Sequence, residues 1–124
     1  MGVSDRGVTT ILRAEHVALV VTGIVIYLAN GGPLILLLPL LLAPDLSMAG
    51  YLGGPRLGAL TYNAAHNLVL ALAALGVGWW LGVAWLVLLR AALVAHVGGD
   101  RALGYGLKLP SDFRDTHLGR IGGP

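Results

Sequence analysis

His96-Val-Gly-Gly-Asp100-Arg101-Ala-Leu-Gly104-Tyr105-Gly106-Leu-Lys108 closes a long apolar run and leaves it through an imidazole, a carboxylate and a guanidinium. A helix that continues through Gly98 and Gly99 stacks His96 and Asp100 on one face. Ionisable groups at the end of a hydrophobic segment are costly unless they do something, so function is sought there first.

Working outward, the rest of the chain is built to match that run. Hydrophobic residues make up 56% of the 124 positions, charged residues 11%, and mean hydropathy is +0.81. A soluble domain carries roughly 25% charged residues, so this is a membrane composition and a length for one domain, residues 1–124. Apolar segments fall at about residues 9–28, 33–48, 55–77 and 79–97, with a tail over 98–124. Each is roughly long enough to cross ~30 Å of hydrocarbon, the second only marginally so. Asn30-Gly-Gly-Pro33, Gly50-Tyr-Leu-Gly-Gly-Pro55 and Gly76-Val-Gly-Trp-Trp80 read as the turns between them. Glu15 inside the first segment, and the lack of a small-residue cleavage site, argue against a signal peptide.

Topology follows from the cations. Arg6 and Arg13 open the chain, Arg56 lies between the second and third segments, and Arg101, Lys108, Arg114 and Arg120 follow the fourth. The turns at 30–33 and 76–79 carry no charge. The expected fold is therefore all-α: a four-transmembrane-helix antiparallel bundle, both termini cytoplasmic, ending in a short amphipathic tail. A bacterial inner membrane is the expected location. Basic residues at segment ends set topology, so the net charge of +2 implies no nucleic-acid partner.

That topology puts polar groups of all four segments in one half of the membrane. Glu15 and His16 lie in the first, Asp45 at the end of the second, Asn63, His66 and Asn67 in the third, His96 and Asp100 in the fourth. Imidazoles with carboxylates suit Zn, Mn or Fe, so Glu15, Asp45, His66, His96 and Asp100 form the candidate ligand set. Asn63 is placed to orient the His66 ring, while Arg101, Tyr105 and His117 surround or cover the mouth of the cavity. Each also has a plainer reading. A histidine at a helix C-terminus interacts favourably with the dipole, and Asn63, His66 and Asn67 can hold helices together. Arg90 can snorkel, or pair with Glu15 or Asp45. With no cysteine, no His-Glu-x-x-His and serines only at 4, 47 and 111, thiolate chemistry, the helical zinc-protease motif and a serine hydrolase are set aside.

Four stretches carry a resemblance: Ala43-Pro-Asp-Leu-Ser-Met-Ala-Gly-Tyr51, Tyr62-Asn-Ala-Ala-His66, His96 through Lys108, and Asp115-Thr-His-Leu-Gly119. They resemble a small bacterial membrane family catalogued as a domain of unknown function (number forty-two sixty), over about residues 12–119. The resemblance implies four membrane helices, with Glu15, Asp45, His66, His96, Asp100 and His117 at motif positions. Arg90 and the Gly98-Gly99 pair depart from the bulkier residues expected there. A fainter similarity, of type only, is to membrane-bound metal-dependent hydrolases.

The expected function is a metal-dependent membrane enzyme of hydrolase type, acting on a lipid-like substrate from a cytoplasm-facing cavity. A di-iron oxidative centre would use the same residue types. One alternative is a haem-binding electron carrier using two of His16, His66 and His96. Another is a non-enzymatic scaffold, oligomerising bundle or transporter subunit. Membrane lipid is the expected partner, together with a second copy in a dimer, because four helices leave little protein around a buried site.

Overall fold

The computed structural model describes residues 3–123. Five α-helices follow in order: α1 (Val3–Ala29), α2 (Leu34–Leu42), α3 (Pro55–Ala65), α4 (Leu68–Leu81) and α5 (Ala84–Leu103). A 3₁₀ helix, Ala43–Gly53, continues α2, and a two-residue hairpin, β1 (Asp115–Thr116) with β2 (Gly119–Arg120), lies in the tail. Three helical stretches are long and apolar enough to cross a membrane: Asp5–Ala29, Leu34–Gly53 and Pro55–Leu81. The fold is all-helical with membrane-like helices. α5 has 20 residues, about 30 Å of helix. It carries Arg90, Asp100 and Arg101, and it is the strut on which α1, α2 and α4 pack.

Small residues make that strut possible. A Cβ on Gly23 would stand 2.6 Å from the Ala91 carbonyl oxygen and 2.8 Å from the Ala95 nitrogen. One on Gly98 would stand 2.8 Å from the His16 carbonyl oxygen. Backbone therefore meets backbone along the α1–α5 seam, the packing expected between helices in lipid. Above it Tyr27, fully buried, donates its hydroxyl proton to the Pro33 carbonyl at 2.6 Å and fixes the turn into α2. Tyr27, Ala71, Leu75, Val87, Ala91, Val94 and Val97 form the core around α5.

The outward surfaces are the opposite. Leu34, Ile35, Leu52 and Val69 are among the most exposed residues, and α2 buries none of its side chains. Trp79, Trp80 and Trp85 are exposed at the α4–α5 turn, as interfacial anchors are.

Four expectations about the path of the chain are corrected. The turn into the last helix is not at 76–79 but at Gly82–Val83, where Gly82 takes a left-handed conformation (φ 70°) and caps α4. Gly76 and Gly78 lie inside α4 instead, and Gly78 lets Leu86 of α5 close in. The second segment runs on to Gly53, because Pro44 enters at the first turn of the 3₁₀ helix, where a missing N–H is harmless. The third segment is broken at His66–Asn67. The fourth segment does not end at residue 97 but runs to Leu103, and the tail that follows folds into the hairpin. Its Lys108 is buried under Phe113, to whose carbonyl Nζ donates at 3.0 Å.

Candidate metal centre

The break in the third segment builds the site. α3 ends at Ala65, and His66 (φ −110°, ψ 20°) and extended Asn67 lead into α4. Asn67 caps α4 by accepting from the Leu70 N–H at 2.8 Å. Side chains bind three carbonyls at the end of α3, the first of which, Tyr62 O, also accepts the His66 backbone N–H at 2.9 Å. Tyr62 O accepts from His66 Nδ1 at 2.8 Å, Asn63 O from Asn67 Nδ2 at 3.3 Å, and His66 O from Arg101 Nη2 at 3.0 Å. The chain thus changes direction inside an apolar region with these carbonyls bonded, as non-helical backbone at membrane depth requires.

Pro44 does the same for the neighbouring element. It has no N–H to give the Leu41 carbonyl in a 3₁₀ register, and that oxygen accepts from His96 Nδ1 at 2.5 Å. A carbonyl only accepts, so Nδ1 carries the proton in both His66 and His96. In the neutral rings the two Nε2 lone pairs then face each other at 3.1 Å. Asp45 Oδ1 completes a near-equilateral triangle, 3.3 Å from His66 Nε2 and 3.2 Å from His96 Nε2. Three acceptors aimed at one point repel unless a proton or a metal cation sits among them. Asp45, His66 and His96 form a group that can hold a metal ion.

Two further side chains frame the triangle. Asp100 Oδ2 lies 3.3 Å from His96 Nε2 and 3.9 Å from His66 Nε2, and accepts from the Tyr62 hydroxyl at 3.2 Å. The Tyr62 ring stacks on His66 with centroids 3.7 Å apart and planes 8° from parallel. Exposure is graded across the group. His66 is fully buried, His96 and Asp100 expose 10% and 20% of their side chains, and Asp45 exposes 45%. The mouth of the site is therefore at Asp45. Edges of 3.1–3.3 Å lie between those of a face of a tetrahedron (about 3.3–3.4 Å for bonds of ~2.0–2.1 Å) and a face of an octahedron (about 3.0 Å).

The family described as a domain of unknown function, DUF4260, matches residues 9–121. The chain belongs to that family. No curated protein and no solved structure matches this DUF4260 chain.

Within the DUF4260 fold, Asp45, His66, His96 and Asp100 come together and Glu15 does not. α1 packs on the far side of α5, and Glu15 is exposed there. His16, also on α1, binds its own helix through Leu12 O at 2.6 Å. Asn63 does not orient His66. Its Oδ1 accepts from Lys108 N at 2.7 Å and its Nδ2 donates to Lys108 O at 2.8 Å, docking the tail onto α3. Burial pushes the docked Lys108 ammonium below the usual lysine range, with Asp100 opposing that shift. Arg101 caps α3 rather than pairing with Asp100, and also donates to Tyr105 O at 2.9 Å. His117 accepts from the Leu107 N–H at 2.8 Å, and Tyr105 is exposed. Arg90 finds neither Glu15 nor Asp45, and its Nε is buried without a hydrogen bond. Tyr62 is the residue that sequence reasoning missed, although its place four residues before His66 was a usable signal.

Proposed function

We propose that this chain is a metal-dependent membrane enzyme of hydrolase type, with Asp45, His66 and His96 as ligands and a lipid-like substrate reached from the cytoplasmic side. The observation that carries it is the enforced tautomer, in which both Nδ1–H groups are committed to carbonyls and both Nε2 atoms point with a carboxylate at one spot. Two histidines and one carboxylate with an open position suit zinc hydrolysis, and also a non-haem iron(II) site. Bound there, the metal would lower the pKa of a water molecule and polarise an ester oxygen. Asp100, held by Tyr62, is positioned to take the proton that water gives up. The graded exposure lets substrate approach over Asp45 while the buried histidines stay fixed.

The same reading has α5 as a fourth crossing, screened by its neighbours, with both termini in the cytoplasm of a bacterial cell and the three tryptophans at the opposite surface. Haem is disfavoured by geometry. An iron between two axial Nε2 atoms needs them about 4 Å apart, twice a bond of ~2.0 Å, and His66 and His96 stand at 3.1 Å.

Elemental analysis of detergent-purified protein tests the proposal. Near-stoichiometric Zn, Mn or Fe is expected in the wild type, and loss of at least tenfold in occupancy in His96→Ala and Asp45→Asn, both still helical. Wild-type metal content in both variants, or none in folded wild type purified without chelators and re-exposed to the three ions, defeats it.

A further inference from the structure

A second cavity lies at the end of the bundle, apart from the metal group. It encloses about 680 Å³ between the N-terminal half of α1, the end of α5 and the hairpin. Arg13, Arg101 and Arg120 line it with His16 and His117, and no carboxylate belongs to its wall. Leu12, Leu118 and Ile121 supply an apolar side. A volume in the range of ligand pockets, roughly 300–1,000 Å³, thus combines guanidinium forks with hydrocarbon.

The charge in this cavity is incompletely answered by the protein. Arg120 is matched by Asp115 and Asp112. Arg101 gives two of its five N–H donors to neutral carbonyls, which leave its charge in place. Arg13 makes no hydrogen bond or ion pair with any described residue. Its guanidinium reaches over Gly104, where a Cβ would stand 3.6 Å from Nη2. Because His117 Nδ1 accepts from Leu107, its neutral ring carries the proton on Nε2 and that edge is a donor. His16 gives its Nδ1 proton to Leu12 O, so in the neutral ring its Nε2 is an acceptor and the cavity's donors are the arginines and His117. Converging donors, uncompensated guanidinium and no acid make a receptor for a tetrahedral oxyanion, since arginine forks match phosphate geometry.

We propose that this cavity binds a phosphate group, and that Arg13 is its principal anchor. The apolar wall favours a phosphate carried on a lipid headgroup, and free phosphate presents the same oxyanion without the hydrocarbon. The site does not depend on the metal reading, because α5 separates Arg13 from the ligand triangle.

Equilibrium binding to the full-length protein in detergent tests it, with three probes: a short-chain phosphatidic acid, the matching diacylglycerol and inorganic phosphate. Phosphatidic acid is expected to bind at least tenfold more tightly than diacylglycerol. Arg13→Gln should lose about tenfold, the scale of a charge-assisted contact, while Arg6→Gln, on exposed α1 surface, loses nothing. Metal content and helicity serve as controls in each variant. Binding of phosphatidic acid without inorganic phosphate assigns the site to lipid, and binding of both assigns it to phosphate from either source. Diacylglycerol binding as well as phosphatidic acid, or Arg13→Gln and Arg6→Gln behaving alike, overturns the proposal.

Discussion

The two faces of α5 are made by opposite means. At 100° per residue Ala91, Ala95 and Gly98 form one stripe, and His96 and Asp100 fall roughly 140–180° away from it. The first stripe is a seam against α1 made by leaving atoms out. The second faces the junction of α2 with the 3₁₀ helix and the broken third segment, whose Leu41 and Tyr62 carbonyls hold the histidine rings. A seam of backbone on backbone tolerates no added atom and can do no chemistry. A face with spare acceptors can do chemistry, and it needs the seam behind it for rigidity. Variants that damage one face and spare the other test this division.

Neighbouring glycines give the largest expected effect. Gly98→Ala drives a methyl into the His16 carbonyl at 2.8 Å, whereas the nearest atom to a Cβ on Gly99 is Val20 Cγ2 at 3.9 Å. Gly98→Ala should cost about 1–3 kcal/mol by forcing the helices apart. Gly99→Ala should gain about 0.5–1 kcal/mol, since alanine suits a helix interior better than glycine. Thermal unfolding in one detergent measures both. If the two substitutions shift the midpoint in the same direction, the seam is not backbone-limited.

An intermediate effect is expected at the break. Asn67→Ala removes the cap on Leu70 and should cost about 1 kcal/mol. Because His66 hangs on the same junction, metal affinity should fall with stability in Asn67→Ala and stay unchanged in Gly99→Ala. Parallel metal titrations of the two variants would expose any link between the faces that this division denies.

How much of this could be read from the sequence depended on the range of the contacts involved. Hydropathy marks the apolar segments because burial in lipid acts on every residue locally. The His96–Asp100 stack was legible as i,i+4 spacing only on condition that the helix ran through Gly98-Gly99; that it runs on to Leu103 was not, because the apolar run stops at Val97. The break at His66–Asn67 was not, because neither proline nor glycine marks it. The one local sign is Asn67 as an N-cap before Leu68. Glu15 misled for an energetic reason. An acid inside an apolar segment is expected to turn inward, yet one about two turns from the exposed end of α1 can remain at the surface. Asn63 misled for a topological one: its partner is the Lys108 peptide, 45 residues on, which no periodicity reveals.

The smallest effect belongs to the hairpin, outside both faces. Asp115 accepts from the Ser111 hydroxyl at 2.7 Å and pairs with Arg120, and these contacts hold its carboxyl below the usual aspartate range. A group whose folded pKa is depressed stabilises the folded form above its unfolded pKa, about 3.9 for aspartate. That support is lost as pH falls further, through the folded value. Below about pH 4, amide exchange at Ile121 and His117, whose N–H groups bond Arg114 O and Leu107 O, should therefore quicken relative to amides of α5. In Asp115→Asn the same ratio should be flat with pH and already at its acid value. Because the carboxylate is exposed, the gain is small, and salt should erase most of it. A hairpin that loosens in acid while α5 and the Asn63–Lys108 dock hold would show that the tail is fastened at two independent points. Exchange rising together at Lys108 and Ile121 would instead make the tail one cooperative unit.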